Sequence, residues 1–407
     1  MNRHNVMMLV VDSLRADAVT RTRLATPTLD ALGSRGALFT QCIATCTTTT
    51  PSFSSILTGC YPPRHGMRGL KGYKLSPAVH TMAEVFAQAG YATHAEVTGP
   101  LVDVTGIQRG FSSTRYRKAR GPAHFDWLEP VLERVRSTQS PWFLLVHIWE
   151  VHRPYRTPEG FAKHNDRSAY EASVAAADAA LSPLFSALDD NTIAVVTGDH
   201  GEEYPHTKTG VFLRGAARRG RRLLKTSKWA GRLDEALLSL EVGHGFALTE
   251  ELVRVPLIMA GPGIDPRTIH QQVRHVDLLP TLIEQTGIGP PPEPLDGRSL
   301  VSLLRGASLD DEAAYMEAVG VRLQGRSLVG ARTPDWKLLI KGGRGRALYR
   351  LGSRPNEKKD LRAQYPEETR RLEEYIERVA ASGGSESGMT KEEEESVEKH
   401  LQDLGYM

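Results

Sequence analysis

The stretch Val6-Met7-Met8-Leu9-Val10-Val11-Asp12 decides the fold class of this chain. Six consecutive apolar residues are typical of a strand that is buried on both faces, as in the middle of a parallel sheet. The run ends at a carboxylate, and open α/β sheets bind their ligands just beyond the carboxyl ends of the strands. The stretch therefore predicts a central β-strand and makes Asp12 a candidate site residue.

Two later apolar runs repeat this pattern. The run at residues 142–148 precedes Trp149-Glu150-Val151-His152-Arg153, and the run at residues 192–198 precedes Asp199-His200-Gly201-Glu202. Asp199 and His200 are adjacent where the backbone turns, so both side chains can reach one cation. His147 lies inside the second run and is interpreted as a core histidine. A chance Asp-His pair is common, so the pair alone does not establish a site.

Helical patterns separate these strands, at residues 79–89 and 169–188, and the first of them leads into another strand at residues 91–97. Strands that alternate with helices predict βαβ units. We therefore expect an α/β fold with a doubly wound, mostly parallel central sheet and helices on both faces. Residues 99–140 carry no clear pattern and are interpreted as irregular.

Composition limits the classes of function. The chain has 407 residues, 40% of them hydrophobic and 24% charged, which is enough for one large domain or two. The formal net charge of +3 is too small to indicate a nucleic-acid partner. The first apolar run is shorter than a secretory h-region, no run is long enough to span a membrane, and we expect a cytoplasmic protein. The three cysteines fit no common zinc motif or disulfide scaffold and are interpreted as buried fillers.

The segment from Thr49 to Gly59 reads Thr-Thr-Pro-Ser-Phe-Ser-Ser-Ile-Leu-Thr-Gly. Small hydroxyl residues, a proline and a helix-forming run predict a loop that leads into a helix N-terminus. Unpaired backbone N–H groups there favour an anion, and a hydroxyl on this turn can attack a phosphate or sulfate ester. Taken alone, the segment is better explained by helix capping, because Ser and Thr before helices are mostly caps.

The segment resembles the sulfatase motif, in which Cys or Ser, any residue, Pro, Ser, Arg and three residues precede Leu-Thr-Gly, with His-Gly shortly after. The residues in register are Pro51, Ser52, Leu57, Thr58, Gly59, His65 and Gly66. Thr49 stands at the Cys/Ser position and Phe53 at the Arg position. The resemblance implies that Thr49 cannot become formylglycine. A threonine nucleophile instead resembles the phosphodiesterases and phosphoryl transferases of the wider alkaline phosphatase superfamily.

The resemblance also implies the site. Ser13 takes the place of the second of two Asp residues found in many sulfatases, and Glu150 is a candidate ligand of a second metal. Carboxylate and imidazole ligands favour zinc or manganese, with calcium or magnesium as alternatives. The implied metal ligands are Asp12, Thr49, Asp199 and His200; the implied catalytic residues are Thr49, His152 and His244; the implied substrate-binding residues are Arg153 and His65.

The same resemblance covers nearly the whole chain and suggests its organisation. Residues 1–305 would form the catalytic domain, and residues 306–407 a C-terminal subdomain with antiparallel strands and a helical tail. A basic insertion at about 204–240 interrupts the first. It is interpreted as a solvated helix or a lid, with weak contact to a membrane or anionic surface as the alternative.

We therefore expect a sulfatase-like, metal-dependent hydrolase that cleaves phosphate mono- or diesters, or sulfate esters, through a covalent Thr49 intermediate. The substrate would be a small-molecule or glycan anionic ester, with phosphate favoured because the nucleophile is threonine. Two alternatives stay open. One is a transferase that passes a phospho-alcohol to a glycan, and the other is a degenerate, non-catalytic binding protein, which the changes at Ser13 and Phe53 would support.

Overall fold

The structure is a computed structural model of the chain. The predicted basic insertion at 204–240 lies outside the described residues. The residues described are 3–20, 26–117, 125–155, 157–158, 161, 169–203, 244–319, 327–342, 345–352, 357, 359–384 and 388–404.

A mixed, mostly parallel sheet forms the centre of the molecule, as predicted. Its strands are β1 (Asn5–Val11), β2 (Ala37–Ile43), β3 (Ala92–Thr98), β4 (Ser113–Arg117), β5 (Trp142–Ile148), β6 (Thr192–Gly198), β7 (Arg254–Ala260), β8 (Arg267–Ile269) and β9 (Val273–Arg274). The order is β4-β3-β5-β1-β6-β7-β2-β8, and β9 also pairs with β2. The five neighbouring strands β4, β3, β5, β1 and β6 run parallel to one another, whereas β7 is antiparallel to both of its neighbours, β6 and β2.

Helices cover both faces of this sheet. The α-helices of the described residues are α1 (Ala16–Thr20), α2 (Pro27–Ser34), α3 (Thr49–Thr58), α4 (Pro62–His65), α5 (Met82–Gln88), α6 (Leu128–Ser137), α7 (Ala169–Ser186), α8 (Glu250–Val253), α9 (Leu278–Thr286), α10 (Val301–Leu304), α11 (Pro366–Ala381) and α12 (Lys391–Leu404). Helices α3, α5, α9 and α10 pack on one face, and α1, α2, α6 and α7 on the other.

The surroundings of β1 explain why its sequence does not alternate between polar and apolar residues. Val6, Met8 and Val10 point into one hydrophobic core, and the residues between them point into the core on the opposite face. Successive strand side chains face opposite sides, so a strand covered on both sides must be apolar at every position.

The carboxyl ends of three central strands lie side by side. Val11 pairs with Ile148 of β5 and with Gly198 of β6. The residues that follow these strands therefore emerge at one edge of the sheet, and they begin with Asp12 and Asp199. This edge is the crevice expected for an open α/β sheet.

A second, smaller sheet lies towards the C-terminus. It is antiparallel and consists of β10 (Ala314–Ala318), β11 (Leu328–Arg332), β12 (Trp336–Lys341) and β13 (Gly345–Arg350), in that order. Leu372 and Ile376 of α11 share a core with Leu338 and Leu348 of this sheet. The expected small C-terminal unit is present, while its boundary near residue 305 stays a prediction.

The segment 99–140 is more regular than its sequence indicated. It contains β4 and α6. Strand β4, with the sequence Ser-Thr-Arg-Tyr-Arg, is the edge strand of the sheet, hydrogen-bonded to β3. Edge strands carry polar and charged side chains, so β4 lacks the apolar run by which the central strands were found.

The three cysteines are buried thiols without a disulfide, in agreement with their interpretation as fillers. Burial is the main cause that raises the pKa of the Cys60 thiol to about 12. Among the helices that the structure describes, none is both long and apolar enough to pass through a membrane.

A buried ion-pair network joins the second sheet to Glu250 of α8, the helix that directly precedes β7. Lys337 of β12 is fully buried, and its Nζ lies 3.2 Å from Glu250 Oε1 and 2.6 Å from Glu357 Oε1. Arg332 of β11 lies 2.9 Å from Glu250 Oε2. Burial raises the pKa of Glu250, but Lys337 and Arg332 outweigh it and lower the pKa to about 2.

Replacing Lys337 with methionine should destabilise the protein by about 3 kcal/mol at pH 7, because Glu357 and Glu250 each lose a buried cation and only Glu250 keeps another, Arg332. A depressed carboxyl pKa adds stability above the unfolded value near 4.3, and that stability is lost as pH falls towards 2. The difference between wild type and variant in urea unfolding should therefore shrink between pH 6 and pH 3. The matched control is Lys399→Met, at an exposed lysine of α12. Equal unfolding midpoints for wild type and Lys337→Met at pH 7 would contradict the prediction.

Candidate active site

Thr49 is the first residue of α3, and its side chain reaches the end of β1. The residue is buried, and its Oγ1 donates a hydrogen bond of 3.1 Å to Asp12 Oδ2. The preceding Thr48 has an extended backbone and makes no side-chain cap. The hydroxyl of Thr49 is thus directed at a carboxylate and is not used to cap its own helix.

Helix α3 is fixed over the sheet edge by Ser52. Its Oγ donates a 2.5 Å hydrogen bond to the backbone carbonyl of Asp199 and lies 3.3 Å from Nδ1 of the buried His275. This contact ties the helix that carries Thr49 to the strand end that carries Asp199.

Asp12, Asp199 and His200 converge at the carboxyl ends of β1 and β6. One ligand atom from each lies within 4.8 Å of the others, and all three residues are buried. Asp199 Oδ1 accepts hydrogen bonds from the backbone N–H groups of Ser13 and His200, at 3.0 and 2.8 Å. The other carboxylate oxygen, Asp199 Oδ2, accepts neither of these hydrogen bonds and lies 3.4 Å from His200 Nε2.

This cluster fits a divalent cation. Asp199 Oδ2 and His200 Nε2 are buried and have no hydrogen-bond partner among the described residues. Burial raises the pKa of Asp12, but His152, His147 and His200 outweigh it and lower the pKa below its ordinary value. Burial and the neighbouring Asp12 raise the pKa of Asp199 well above its ordinary value. A bound cation would remove this conflict between two close carboxylates.

Ser13 holds the two carboxylates in place. Its Oγ donates to Asp12 Oδ1 at 2.8 Å, while its N–H donates to Asp199. Ser13 has a φ of 61°, and among the described residues it is the one non-glycine with a positive φ. Strained backbone of this kind persists where the surroundings fix it. Ser13 therefore bridges the carboxylates where many sulfatases have a further Asp.

His147 lies closer to the site than a core histidine needs to be. It is fully buried in β5, its Nδ1 lies 3.1 Å from the carbonyl oxygen of Thr98, and its Nε2 lies 3.7 Å from Asp12 Oδ2. Phe53 packs edge-on against its ring, with centroids 4.9 Å apart. Interpreting His147 as core alone was incomplete. The sequence carried no signal for this contact, because only the strand order places β5 next to β1.

His152 and His244 meet beside this cluster. Their Nε2 atoms are 3.3 Å apart, although the residues are separated by 92 positions in the chain. The ring of His244 also lies against that of His200, with centroids 4.4 Å apart. Burial is the main cause that lowers the pKa of His152, and Asp12 partly offsets it. The two histidines proposed as catalytic are thus brought together.

Glu202 is a further site residue, one that the strand-end pattern of the sequence did not indicate. It is fully buried, and its Oε2 lies 3.5 Å from His244 Nδ1 and 3.6 Å from Arg153 Nε. Burial raises its pKa, but His244, Arg153 and His152 outweigh it and lower the pKa. The available signal was its position two residues after His200.

Arg153 lies at the edge of this group. It donates from Nη2 to the Glu203 carbonyl at 2.6 Å and from Nε to Tyr155 Oη at 3.0 Å. Its role in binding the substrate anion stays a prediction.

The side chains of Glu150 and His65 form hydrogen bonds with residues outside the Asp12, Asp199 and His200 cluster. Glu150 Oε1 accepts hydrogen bonds from Arg117 at 2.7 Å and Trp127 at 2.9 Å. Its predicted role as a ligand of a second metal stays untested. His65 is buried, with Nε2 3.0 Å from Ser55 Oγ and Nδ1 accepting from the N–H of Met67. Burial is the main cause that lowers the pKa of His65 to about 3. Its predicted contact with substrate stays untested.

The sheet and the cluster at its carboxyl edge define a class of α/β protein, one with a candidate metal site just beyond the ends of its central strands. Within it, the family model described as Sulfatase matches residues 4–288. The chain therefore belongs to the sulfatase family, whose members are hydrolases that act on ester bonds.

Individual relatives agree with this assignment. Arylsulfatase A from Homo sapiens is 27% identical over 380 residues, which cover 77% of this chain and 69% of that protein. The phosphonate monoester hydrolase of Agrobacterium radiobacter has the same fold, with a TM-score of 0.72, 17% identity, and coverage of 93% of this chain and 96% of that one. A 2-O GAG sulfatase superposes with a TM-score of 0.69 at 19% identity, covering 93% and 92% of the two chains.

Proposed function

We propose that this protein hydrolyses phosphate mono- or diesters, in preference to sulfate esters, with Thr49 as the nucleophile. The observation that carries the proposal is the contact between Thr49 Oγ1 and Asp12 Oδ2, 3.1 Å long, at the edge of the Asp12, Asp199 and His200 cluster. A hydroxyl nucleophile needs an adjacent group that lowers the pKa of the hydroxyl or takes its proton. Asp12 is the adjacent group for Thr49.

The residues that would hold a cation are Asp12, Asp199, His200 and the Thr49 hydroxyl. When bound, a divalent cation lowers the pKa of a coordinated hydroxyl and neutralises charge that develops on the ester oxygens. The imidazole of His200 favours zinc or manganese over the harder ions.

The reaction follows from these positions as two displacements. Thr49 Oγ forms a bond to phosphorus, its proton passes towards Asp12, and the bond from phosphorus to the leaving oxygen breaks. His152 and His244 lie beside the cluster, and a protonated imidazole there would give its proton to the leaving alkoxide. Water then attacks the phosphothreonine at phosphorus and gives its proton to the neutral imidazole. The bond from phosphorus to Thr49 Oγ breaks, the proton on Asp12 returns to Thr49, and the phosphate product leaves.

Two residues favour phosphate over sulfate. Thr49 has a methyl group on Cβ and cannot form the aldehyde hydrate by which sulfatases expel sulfate from the carbon side. Phe53 stands at the position of the motif arginine, which sulfatases need for the formylglycine modification. It is fully buried and packs against His147. A threonyl ester must therefore be cleaved at the transferred group itself, a route that is familiar for phosphoryl groups held by metals.

The substrate class that we propose is a small-molecule or glycan anionic ester. Support for a glycan comes from structural neighbours, one of which is a GAG sulfatase and another of which was solved with D-glucosamine-2-N,6-O-disulfate. The cytoplasmic location stays a prediction, as do the alternatives of a transferase and a binding protein.

A panel of aryl esters tests the preference. With zinc or manganese present, we expect kcat/KM for an aryl phosphate mono- or diester to exceed that for the matching aryl sulfate by tenfold or more, a difference of about 1.4 kcal/mol in transition-state stabilisation. The Thr49→Ala variant, purified in parallel, controls for contaminating phosphatase. Turnover of the sulfate alone, or an aldehyde mass on any residue of the 45–60 segment, would overturn the phosphate preference.

A further inference from the structure

Trp149 directly follows β5, and its ring packs on that of His152. The two ring centroids are 4.3 Å apart with 32° between the planes, and His147 packs edge-on against the same indole at 6.2 Å. The N–H of His152 donates to the carbonyl of Trp149 at 2.8 Å, so both residues belong to one tight turn. Aromatic pairs have a preferred geometry, so the orientation of the indole constrains that of the imidazole.

The backbone of Trp149 is fixed by Glu150. Its N–H donates a 2.9 Å hydrogen bond to Glu150 Oε2, while Oε1 of the same carboxylate accepts from Arg117 and Trp127. Arg117 lies in the edge strand β4 and also donates to the carbonyl of His147 at 2.8 Å. The start of the loop that carries Trp149 is therefore tied to the sheet.

Gly99 packs against the indole ring. It directly follows β3, the strand that pairs with β5. A Cβ at this position would lie 1.8 Å from Cζ3 of Trp149 and 2.0 Å from Cε3, so the ring needs a glycine there. The φ of Gly99 is 64°, which also favours glycine. A shift of Gly99 would therefore change the space that holds the indole.

The C-terminal helix α12 helps to hold Gly99. The Gly99 carbonyl accepts a 2.8 Å hydrogen bond from Tyr116 Oη and lies 2.9 Å from His400 Nε2. A carbonyl oxygen can only accept, so His400 carries a proton on Nε2. A residue 301 positions further along the chain thus fixes the glycine against which Trp149 packs.

We propose that Trp149 is a positioning residue for His152, and that His400 acts on it through Gly99. The C-terminal helix thereby contributes to the geometry of the catalytic residues. The inference rests on the proposed function, in which the His152 and His244 pair gives a proton to the leaving oxygen. A misplaced His152 should therefore matter most for esters whose leaving group needs that proton.

Two phosphate esters that differ only in the leaving group, one nitrophenyl and one alkyl, test this on the full chain. His152→Ala should lower kcat for the alkyl ester by about a hundredfold or more but for the nitrophenyl ester by less than about tenfold, because nitrophenolate leaves without a proton. Trp149→Ala should show the same selectivity, with a loss of about tenfold to a hundredfold on the alkyl ester. The loss should fall on kcat and not on KM.

Conservative variants and controls separate positioning from a loss of fold. Trp149→Phe keeps a ring against His152 and should recover most of the alkyl-ester rate. Trp336→Ala removes an indole that packs on Tyr365 in the second sheet, with centroids 4.5 Å apart, and should show no leaving-group selectivity.

His400 tests the contribution of α12. His400→Ala should slow the alkyl ester selectively, by about threefold to tenfold. His400→Gln keeps an N–H donor for the Gly99 carbonyl and should restore the rate, and His270→Ala, at an exposed histidine, should match wild type. Thermal unfolding shows which variants are folded, and His400→Ala carries the test if Trp149→Ala is not.

A double mutant gives the sharpest result. In the His152→Ala background, Trp149→Ala should add less than about threefold on the alkyl ester, because residues that act through one contact are not additive. Additive losses, or equal slowing of both esters by folded Trp149→Ala or His400→Ala, would overturn the proposal. Loss of activity in Thr49→Ala without leaving-group selectivity in His152→Ala would also overturn it and leave the proposed nucleophile standing. Wild-type rates in Thr49→Ala would instead overturn that nucleophile, while selectivity in Trp149→Ala would still support the positioning role.

Discussion

Replacing Thr49 with alanine is expected to lower kcat on an aryl phosphate by about two decades or more, whereas Thr49→Ser should keep measurable activity. The hydroxyl is the group that bonds to phosphorus, and serine retains it. In the structure that hydroxyl donates to Asp12 from the first turn of α3, and alanine cannot make this contact. Steady-state kinetics of the three proteins at saturating metal measures the effect.

Thr50→Ala is the matched control for this experiment. Thr50 is equally buried one residue later, but its Oγ1 donates to the carbonyl of Pro100, 3.3 Å away, and not to the cluster. It should stay within a few-fold of wild type. Acid quenching during turnover should leave phosphate on the peptide that contains Thr49. Wild-type rates in Thr49→Ala would move the nucleophile elsewhere.

Asp199→Asn and His200→Ala should each lower kcat/KM by about three decades, because a metal supplies several kcal/mol of transition-state stabilisation. Each change alters one of the cluster's two buried ligand atoms that have no hydrogen-bond partner among the described residues, Asp199 Oδ2 or His200 Nε2. Both residues follow the end of β6 and lie outside the hydrophobic cores, so the fold should be retained. Chelator treatment of wild type should have the same effect on activity, and added zinc or manganese should reverse it.

Asp178→Asn provides the contrast. Asp178 is a buried aspartate of α7 that accepts hydrogen bonds from the N–H groups of Thr28 and Leu29, at 3.0 and 2.9 Å. Its replacement should lower the unfolding temperature but leave tight zinc binding in place. Full turnover by Asp199→Asn would show that the cluster takes no part in the mechanism. Loss of zinc from Asp178→Asn as well would show that zinc loss is not specific to changes in the cluster.

The central strands and their polar ends could be predicted from local sequence alone. The predicted strands at residues 142–148 and 192–198 match the observed bounds of β5 and β6. A strand covered on both faces must be apolar throughout, so its limits are visible as a change in composition. Asp12, Asp199 and His200 were found for the same reason, since each directly follows such a run or is next to a residue that does.

The partners of the other side chains were decided by the tertiary structure. Glu150 and Glu202 both follow a central strand by two to four residues, yet the first is held by Arg117 and Trp127 and the second by His244 and Arg153. Beyond a strand end, the direction of a side chain depends on the path of the loop, and no periodicity in the sequence records that path.

The same division between sequence and tertiary structure holds for His147 and for the contact between His152 and His244. A histidine inside an apolar run has the same sequence signature whether it is a core residue or borders a cluster, because only the neighbouring strand supplies Asp12. The contact between His152 and His244 joins positions that are 92 residues apart. The sequence by itself determined which strands carry the site and which ligand types it has. The tertiary structure alone decided which of those side chains converge, because convergence depends on strand order and loop path, neither of which is a local property of the chain.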